Sequence, residues 1–134
     1  MTALTAERDT HRRDGLQLSL PMSASKILEG AIVCLSAAGY ATKGAVATTL
    51  RAAGVAEETV DNSAGNAGDV AISVKRGTFK FGNSAAADQI TLASYGLPCY
   101  IVDDQTVAKT DATGTRSVAG VIRGVDTDGV WVEF

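Results

Sequence analysis

From Lys26 to Phe134 the chain is cut into short apolar runs, each about four to seven residues long and closed by a cluster of Gly, Asn, Asp or Ser. Runs that short do not build helices of ordinary length, and punctuation that dense forces repeated chain reversal, so the pattern predicts a compact all-β domain. ILEGAIVCLS (27–36) is closed by AAGY, and TTLRAAGVA (48–56) leads into VDNSAGNAGD (60–69), a loop of residues that tolerate positive φ. In VAISVKRGTFKFGNS (70–84), Val70, Ile72 and Val74 share one face; Gly77 predicts a bulge or sharp bend before Phe79 and Phe81. CYIV and TVAK flank Asp103 and Asp104, SVAGVIRGVD (117–126) reads as a strand, and Asp128-Gly129 turns the chain into VWVEF. ITLASYG (90–96) breaks the rhythm, with Thr91 as an N-cap and Gly96 as the C′ residue of a single helical turn.

Residues 1–25 differ from the rest. MTALTAERDTHRRDGLQLSLPMSAS is polar and mixed in charge, and only LQLSL alternates, with Leu16, Leu18 and Leu20 on one side before Pro21 stops the run. This segment is read as an extended arm outside the core, flexible until bound, attached to one β-rich domain over 26–134.

Composition limits what such a chain does. With 134 residues there is room for one core. Much of the 46% hydrophobic content is Ala, and one Trp, three Tyr and three Phe are the only aromatics. A core built this way is thin, and a partner subunit is expected to complete it. The net charge of −3, with scattered basic residues, points away from a nucleic-acid partner. No apolar stretch approaches the ~20 residues that span a bilayer, so no membrane partner is expected. The N-terminus lacks a charged start followed by an apolar run, so no leader is expected and synthesis is placed in a cytoplasm. Cys34 and Cys99 lie inside apolar runs and are read as buried free thiols.

Few residues could carry chemistry. His11, the single histidine, lies on the arm beside Arg12 and Arg13, where it cannot be held rigidly as the base of a nucleophile. DNSAGNAGD has the glycines of a phosphate loop but no Lys-Ser/Thr after it and no following helix. Asp103 and Asp104 are the strongest candidates for acid/base work or for holding a hard cation. Adjacent strand residues point to opposite faces, so the pair reads as a turn in which Asp103 ends one strand, Asp104 and Gln105 reverse the chain, and Thr106 starts the next. Asp126 and Asp128 repeat the pattern. Phe79, Phe81 and Trp131 are read as core residues rather than a stacking platform. No catalytic residue, cofactor or metal ligand is assigned.

RAAGVAEETVDNSAGNAGDVAISVKRGTFKFGN (51–83) resembles the central portion of phage head decoration, or capsid cement, proteins of the lambda-type or Mu-like prophage kind. The resemblance rests on Ala53-Gly54-Val55-Ala56, on the Asn/Gly-rich loop from Asp61 to Asp69, and on Gly77-Thr78-Phe79 with Phe81. ITLASYGLPCYIVDDQTVA and RSVAGVIRGVDTDGVWV resemble the carboxyl half of prophage-encoded proteins of the same general type. The resemblance implies a non-catalytic virion protein that binds the outer surface of an assembled capsid, with the major capsid protein as its partner. It also implies a homotrimer at threefold or quasi-threefold positions, and an arm that becomes ordered on the shell by adding an extended segment to a capsid strand. Leu16, Leu18, Leu20, Arg12 and Arg13 are the arm residues assigned to that contact. A tail, baseplate or head-fibre module that recognises a host surface is the alternative. The expected fold is an all-β small barrel or β-sandwich, beta-clip-like, of roughly seven to nine short strands with one helical turn and an extended N-terminal arm.

Overall fold

The computed structural model describes residues 2–13 and 15–134. Among them the chain forms twelve β-strands and two 3-10 turns, so the fold is all-β, as the run lengths require. β1 (Gln17–Pro21), β3 (Ile32–Leu35), β4 (Ala41–Lys43), β5 (Arg51–Ala56) and β7 (Ala71–Lys75) make a five-stranded sheet in the order β1-β7-β5-β3-β4. β8 (Thr78–Asn83), β9 (Pro98–Ile101), β10 (Thr106–Ala108), β11 (Val118–Asp126) and β12 (Gly129–Glu133) close into a barrel in the order β10-β8-β12-β11-β9. β2 (Lys26–Ile27) and β6 (Val60–Asp61) form a two-residue ladder. All pairings between named strands are antiparallel except β10 with β8.

Two apolar clusters fill this architecture. One lies in the barrel, around Phe81, Ile101, Ile122, Val130 and Val132, and draws in Ile32, Cys34 and Val55 from the sheet. The other gathers Met22, Ile27, Val33, Ala41, Ile72 and Val74. β3 explains the link: successive strand residues face opposite ways, and Ile32 and Cys34 join the first cluster while Val33 joins the second. That strand is buried on both faces, hence its unbroken apolar run IVCL. The Ala-rich composition thus supplies two small cores sharing a wall rather than one thin core.

Gly54 sits where the sheet is tightest. Its φ is +153°, and a Cβ there would lie 2.4 Å from the carbonyl oxygen of Lys75. The Ala53-Gly54-Val55-Ala56 run therefore needs glycine at its second position to let β5 approach β7, and the β3–β5 register shifts opposite it. Gly77, with φ +150°, makes the bend expected between β7 and β8.

The arm is shorter than its sequence suggests. Gln17–Pro21 pairs along its whole length with β7, from Gln17 opposite Lys75 to Pro21 opposite Ala71. Met22 is fully buried, donates its N–H to Val70 O at 2.9 Å and bridges in parallel to Ala41 on β4. Residues 17–25 therefore belong to the domain assigned to 26–134. The alternation of LQLSL was a strand signal, and the methionine after Pro21 is its anchor. Pro21 does not break the ladder because it stands on an edge.

Other details also differ from expectation. The run 27–36 is split into β2 and β3 by the turn at Leu28–Ala31. The expected helical turn is the 3-10 segment Leu92–Ser94, with Gly96 at φ +83°, but Thr91 occupies the N-cap without a side-chain bond. A second 3-10 turn at Ala86–Asp88 had no signal comparable to the Thr91–Gly96 pair.

Candidate functional site

The Asp103–Asp104 segment is a joint. The Asp103 carboxylate accepts from the Gln105 N–H at 2.9 Å, and Val102 N–H donates to Thr106 O at 3.0 Å, closing a tight reversal between β9 and β10. The Asp104 carbonyl accepts the Ile32 N–H at 2.8 Å, which fastens this turn of the barrel to β3, an inner strand of the sheet. Its other side carries Gln105 O, which accepts from Gly82 N–H at 2.8 Å. The Asp103 carboxylate thus serves a turn whose backbone, through the Asp104 carbonyl, holds the two halves of the fold together.

Four further acids, Asp61, Asp88, Asp126 and Asp128, are bound into surface contacts. Asp128 lies 3.0 Å from Lys80 Nζ, and its carboxyl is held below the usual range by that ammonium. Asp126 accepts from the Trp131 indole N–H at 2.8 Å. The Thr110 hydroxyl and then Arg116 hold Asp88 below its ordinary pKa, and the three tie the Ala86–Asp88 turn to the loop after β10. Asp61 is lowered chiefly by the Ser63 hydroxyl and N–H within the 61–69 loop. Among the described residues no three His, Cys, Asp or Glu side chains converge as a metal ligand set. Among the described residues no helix is long and apolar enough to cross a membrane.

Cys34 and Cys99 are free and buried, as their apolar runs predict. Burial pushes their thiols up to about 12 and about 11 respectively. Such thiols are inert at neutral pH.

The arm residues separate into two groups. Arg12 and Arg13 lie exposed in a segment without regular structure that runs from residue 2 to residue 13. Leu18 and Leu20 are half-buried against the cluster around Met22, while Leu16 is 59% exposed where the chain enters β1. Two of the three leucines assigned to a partner therefore pack on the protein's own core.

β1 is an outer strand of its sheet, and its hydrogen-bond phase can be read directly. Arg76 N–H donates to Leu16 O at 2.8 Å at one end of the ladder, and Met22 N–H donates to Val70 O at 2.9 Å at the other. In an antiparallel pair, alternate residues bond the same neighbour. Residues 16, 18, 20 and 22 therefore face β7, and Gln17 and Ser19 turn their N–H and C=O groups outward. Pro21 turns outward only a carbonyl. Past Pro21 the same side meets β4, where Ser23 N–H donates to Ala41 O at 2.9 Å, so the exposed edge is confined to Gln17 and Ser19.

Sequence reasoning missed two further features. Asn62, 4% exposed, donates its side-chain amide to Ser23 O at 3.1 Å and to Asn66 O at 2.9 Å, so the glycine-rich loop is wrapped around residues 22–25. Trp131 was assigned to the core and is instead on the outer barrel face, 38% exposed, with Lys80 Nζ 5.6 Å from its ring centre. Nearby on that face Arg123 pairs with Glu133 at 3.1 Å and lies 5.7 Å from the centre of the exposed Tyr95 ring. The alternation of VWVEF carried the signal for Trp131: Val130 and Val132 are buried, so the residue between them points out. Phe79 and Phe81 do belong to the barrel cluster, packed against Phe134, with Phe81 edge-to-face.

These features define a small all-β protein, barrel joined to sheet, that offers a short exposed strand edge, an exposed N-terminal segment of mixed charge and an outer barrel face carrying Trp131 and Tyr95. Compared with protein-family models, curated proteins and solved structures, the chain matches none.

Proposed function

We propose that this chain is a structural, non-catalytic virion protein that binds the outer surface of a phage capsid and stabilises it, with the major capsid protein as its partner and a homotrimer as its working form. The observation that carries this reading is the contrast between a rigid β body and the exposed segment 2–13 that leads into it. Arg8, Arg12 and Arg13 lie on that segment with no ion pair to any described residue. An exposed segment with no hydrogen bond or ion pair to the described residues is suited to gaining contacts on a repeated lattice, where many copies offset the entropy lost on ordering each one. The resemblance of residues 51–83 and of the carboxyl half to head decoration proteins supports the same reading, as do acids that serve turns and surface ion pairs.

The test is cosedimentation of the purified protein with capsids of the phage that encodes it, followed by cryo-electron microscopy. Density on the outer shell, lost when residues 2–13 are removed, is the expected result. Labelling confined to tails, or undiminished shell binding by the truncated protein, overturns it.

The exposed Tyr95 and Trp131 favour one second reading, a tail, baseplate or head-fibre module that contacts a host surface through the outer barrel face. Binding of the free protein to host cells, abolished by Trp131→Ala and indifferent to the arm, would select that reading.

A further inference from the structure

We infer that copies of this chain meet on the outer face of β9 and β11, an apolar stripe of the barrel bordered by the segment Leu92–Leu97. The inference rests on the homotrimer reading above and names the surface that such an assembly uses. It is carried by the residues that alternate outward along the two strands.

In an antiparallel strand with one face on the core, the outward positions are ordinarily polar. β8 follows this rule with Thr78 and Lys80. β9 and β11 do not. Cys99 and Ile101 point into the barrel, while Pro98 and Tyr100 point out. Val118 pairs with Tyr100 and Val121 with Pro98, so both valines share that outer face. β3 shows what apolar residues on both sides of a strand mean in this fold, since IVCL is covered on each side. On β9 and β11 the outer side is bare. Gly96 N–H donates to Ile122 O at 2.9 Å and Ile122 N–H donates to Leu97 O at 3.0 Å, which lays Leu92–Leu97 alongside β11. Leu92, Tyr95, Leu97 and Val118 are each half or more exposed. Among the described residues no other exposed large apolar side chains are gathered in this way, for Leu28, Val46 and Val70 each stand on a different loop.

Topology, charge and size select a second copy as the occupant. In the closed barrel β9 and β11 each have a neighbour on either side, so a peptide strand has no edge there to join. Arg123 and Asp126 are the only charged residues of the two strands, and both are engaged. Arg123 lies 3.1 Å from Glu133, while Asp126 accepts from the Trp131 indole at 2.8 Å and lies 3.8 Å from Lys80. The stripe therefore asks for an apolar partner rather than a charged one. The outside of a barrel is convex, so what covers it is another surface and not a small molecule. Roughly 500 Å² of apolar side chain is exposed there, the size at which such patches mark contacts, against the ~800 Å² per partner of a standard interface. Three convex barrels set about one axis turn their stripes inward together, each meeting two neighbours, so one apolar face per chain is enough. The shell contact is assigned to the exposed segment 2–13, which leaves this face to the copies.

The experiment is sedimentation equilibrium on the full chain over a concentration series, with two variants. Leu97→Glu with Val118→Glu sets two carboxylates on the stripe, and Val70→Glu makes the same change at an exposed apolar residue elsewhere. The wild type is expected at the mass of three chains and to keep it at high salt, because the contact is apolar. The double variant is expected to associate at least about a hundredfold more weakly with an unchanged circular dichroism spectrum, and Val70→Glu to behave as the wild type. Hydroxyl-radical footprinting of the wild type supplies a second measurement, in which Tyr95 and Leu97 are expected to become protected as concentration rises. Should the double variant not fold, the footprint decides. A wild type of single-chain mass, a double variant of unchanged mass, or side chains equally reactive at every concentration overturns the inference. If Tyr95 and Leu97 are covered only when shells are present, the occupant is the capsid protein and the inference falls as well. Shell binding is scored separately by cosedimentation: a trimer that Leu97→Glu with Val118→Glu dissociates, but that ignores shells, removes the capsid reading and leaves this inference standing.

Discussion

The backbone N–H of Ile32 donates to the carbonyl oxygen of Asp104 across 2.8 Å, and this bond ties β3, an inner strand of the sheet, to a turn of the barrel. Ile32 is fully buried in the cluster the two halves share. The acidic pair that looked most like a reactive centre is thus placed where the fold needs a tight, well-bonded reversal.

A substitution series separates the turn from chemistry. Asp103→Ala removes the acceptor for Gln105 N–H and is expected to lower stability by about 0.5–1.5 kcal/mol, measured by urea unfolding. Asp104→Asn keeps the backbone carbonyl that Ile32 uses and is expected to shift stability by less than about 0.5 kcal/mol. An Asp104→Asn variant as damaged as Asp103→Ala would mean that the side chain, not the carbonyl, makes the joint.

Truncation should divide the N-terminal region at the point where the structure does. Removing residues 2–13 is expected to leave the unfolding midpoint within about 0.5 kcal/mol of the full chain, since that segment buries nothing. Met22→Ala, by contrast, empties a fully buried site in the second cluster and is expected to cost about 2–5 kcal/mol. Equal effects from both would show that β1 and its anchor are not part of the folded unit.

Asn62 offers a sharper check on the glycine-rich loop. Asn62→Ala removes a buried amide that donates to the carbonyls of Ser23 and Asn66 and is expected to destabilise by about 1–3 kcal/mol. Hydrogen exchange should then report faster opening around residues 22–25. Ser63→Ala, on the exposed rim of the same loop, is expected to change little globally while raising the Asp61 pKa, because the Ser63 hydroxyl is the main group that lowers it.

The two thiols predict an alkaline weakness. Their folded pKa values are raised to about 12 and about 11 from an ordinary 9.0, so the folded state holds protons that the unfolded chain releases. Their contribution is intact below pH 9 and is lost as pH climbs from about 9 toward 11–12, where unfolding gains from thiolate formation. A pH series of melting temperatures checks this: Cys34→Ala with Cys99→Ala should flatten the decline above pH 9, although both start from a less stable fold. In the wild type, thiol labelling at pH 8 should be slow and limited by unfolding.

Lowered carboxyl groups predict the opposite flank. Asp61, Asp88 and Asp128 all lie below their ordinary value, so each contributes stability above the unfolded carboxyl pKa and loses it as pH falls through the folded one. Acid unfolding should therefore steepen below about pH 4, and Asp88→Asn should lower stability at pH 7 while making the acid limb shallower. An unchanged acid limb in that variant would remove the Thr110–Arg116 latch from the account.

Much of the fold was legible in the residues because it depends on local rules. Run length and Gly/Asn/Asp punctuation determined an all-β chain, Gly77 and Asp128-Gly129 marked two reversals, and the apolar surroundings of Cys34 and Cys99 determined that both thiols are buried and free. The Asp103–Asp104 turn was readable because strand alternation forbids adjacent carboxylates from sharing a face. Other features were decided only in three dimensions. LQLSL reads alike as an arm or a strand until β7 supplies its partner, and a polar amide such as Asn62 looks like any loop residue until two carbonyls distant in sequence meet it. Whether Trp131 faces in or out depended on which of two alternating faces the barrel closed upon. Pairing between strands far apart in the chain carries no mark in either strand alone, so topology, the open edge of β1 and the bond from Ile32 to Asp104 belonged to the tertiary structure.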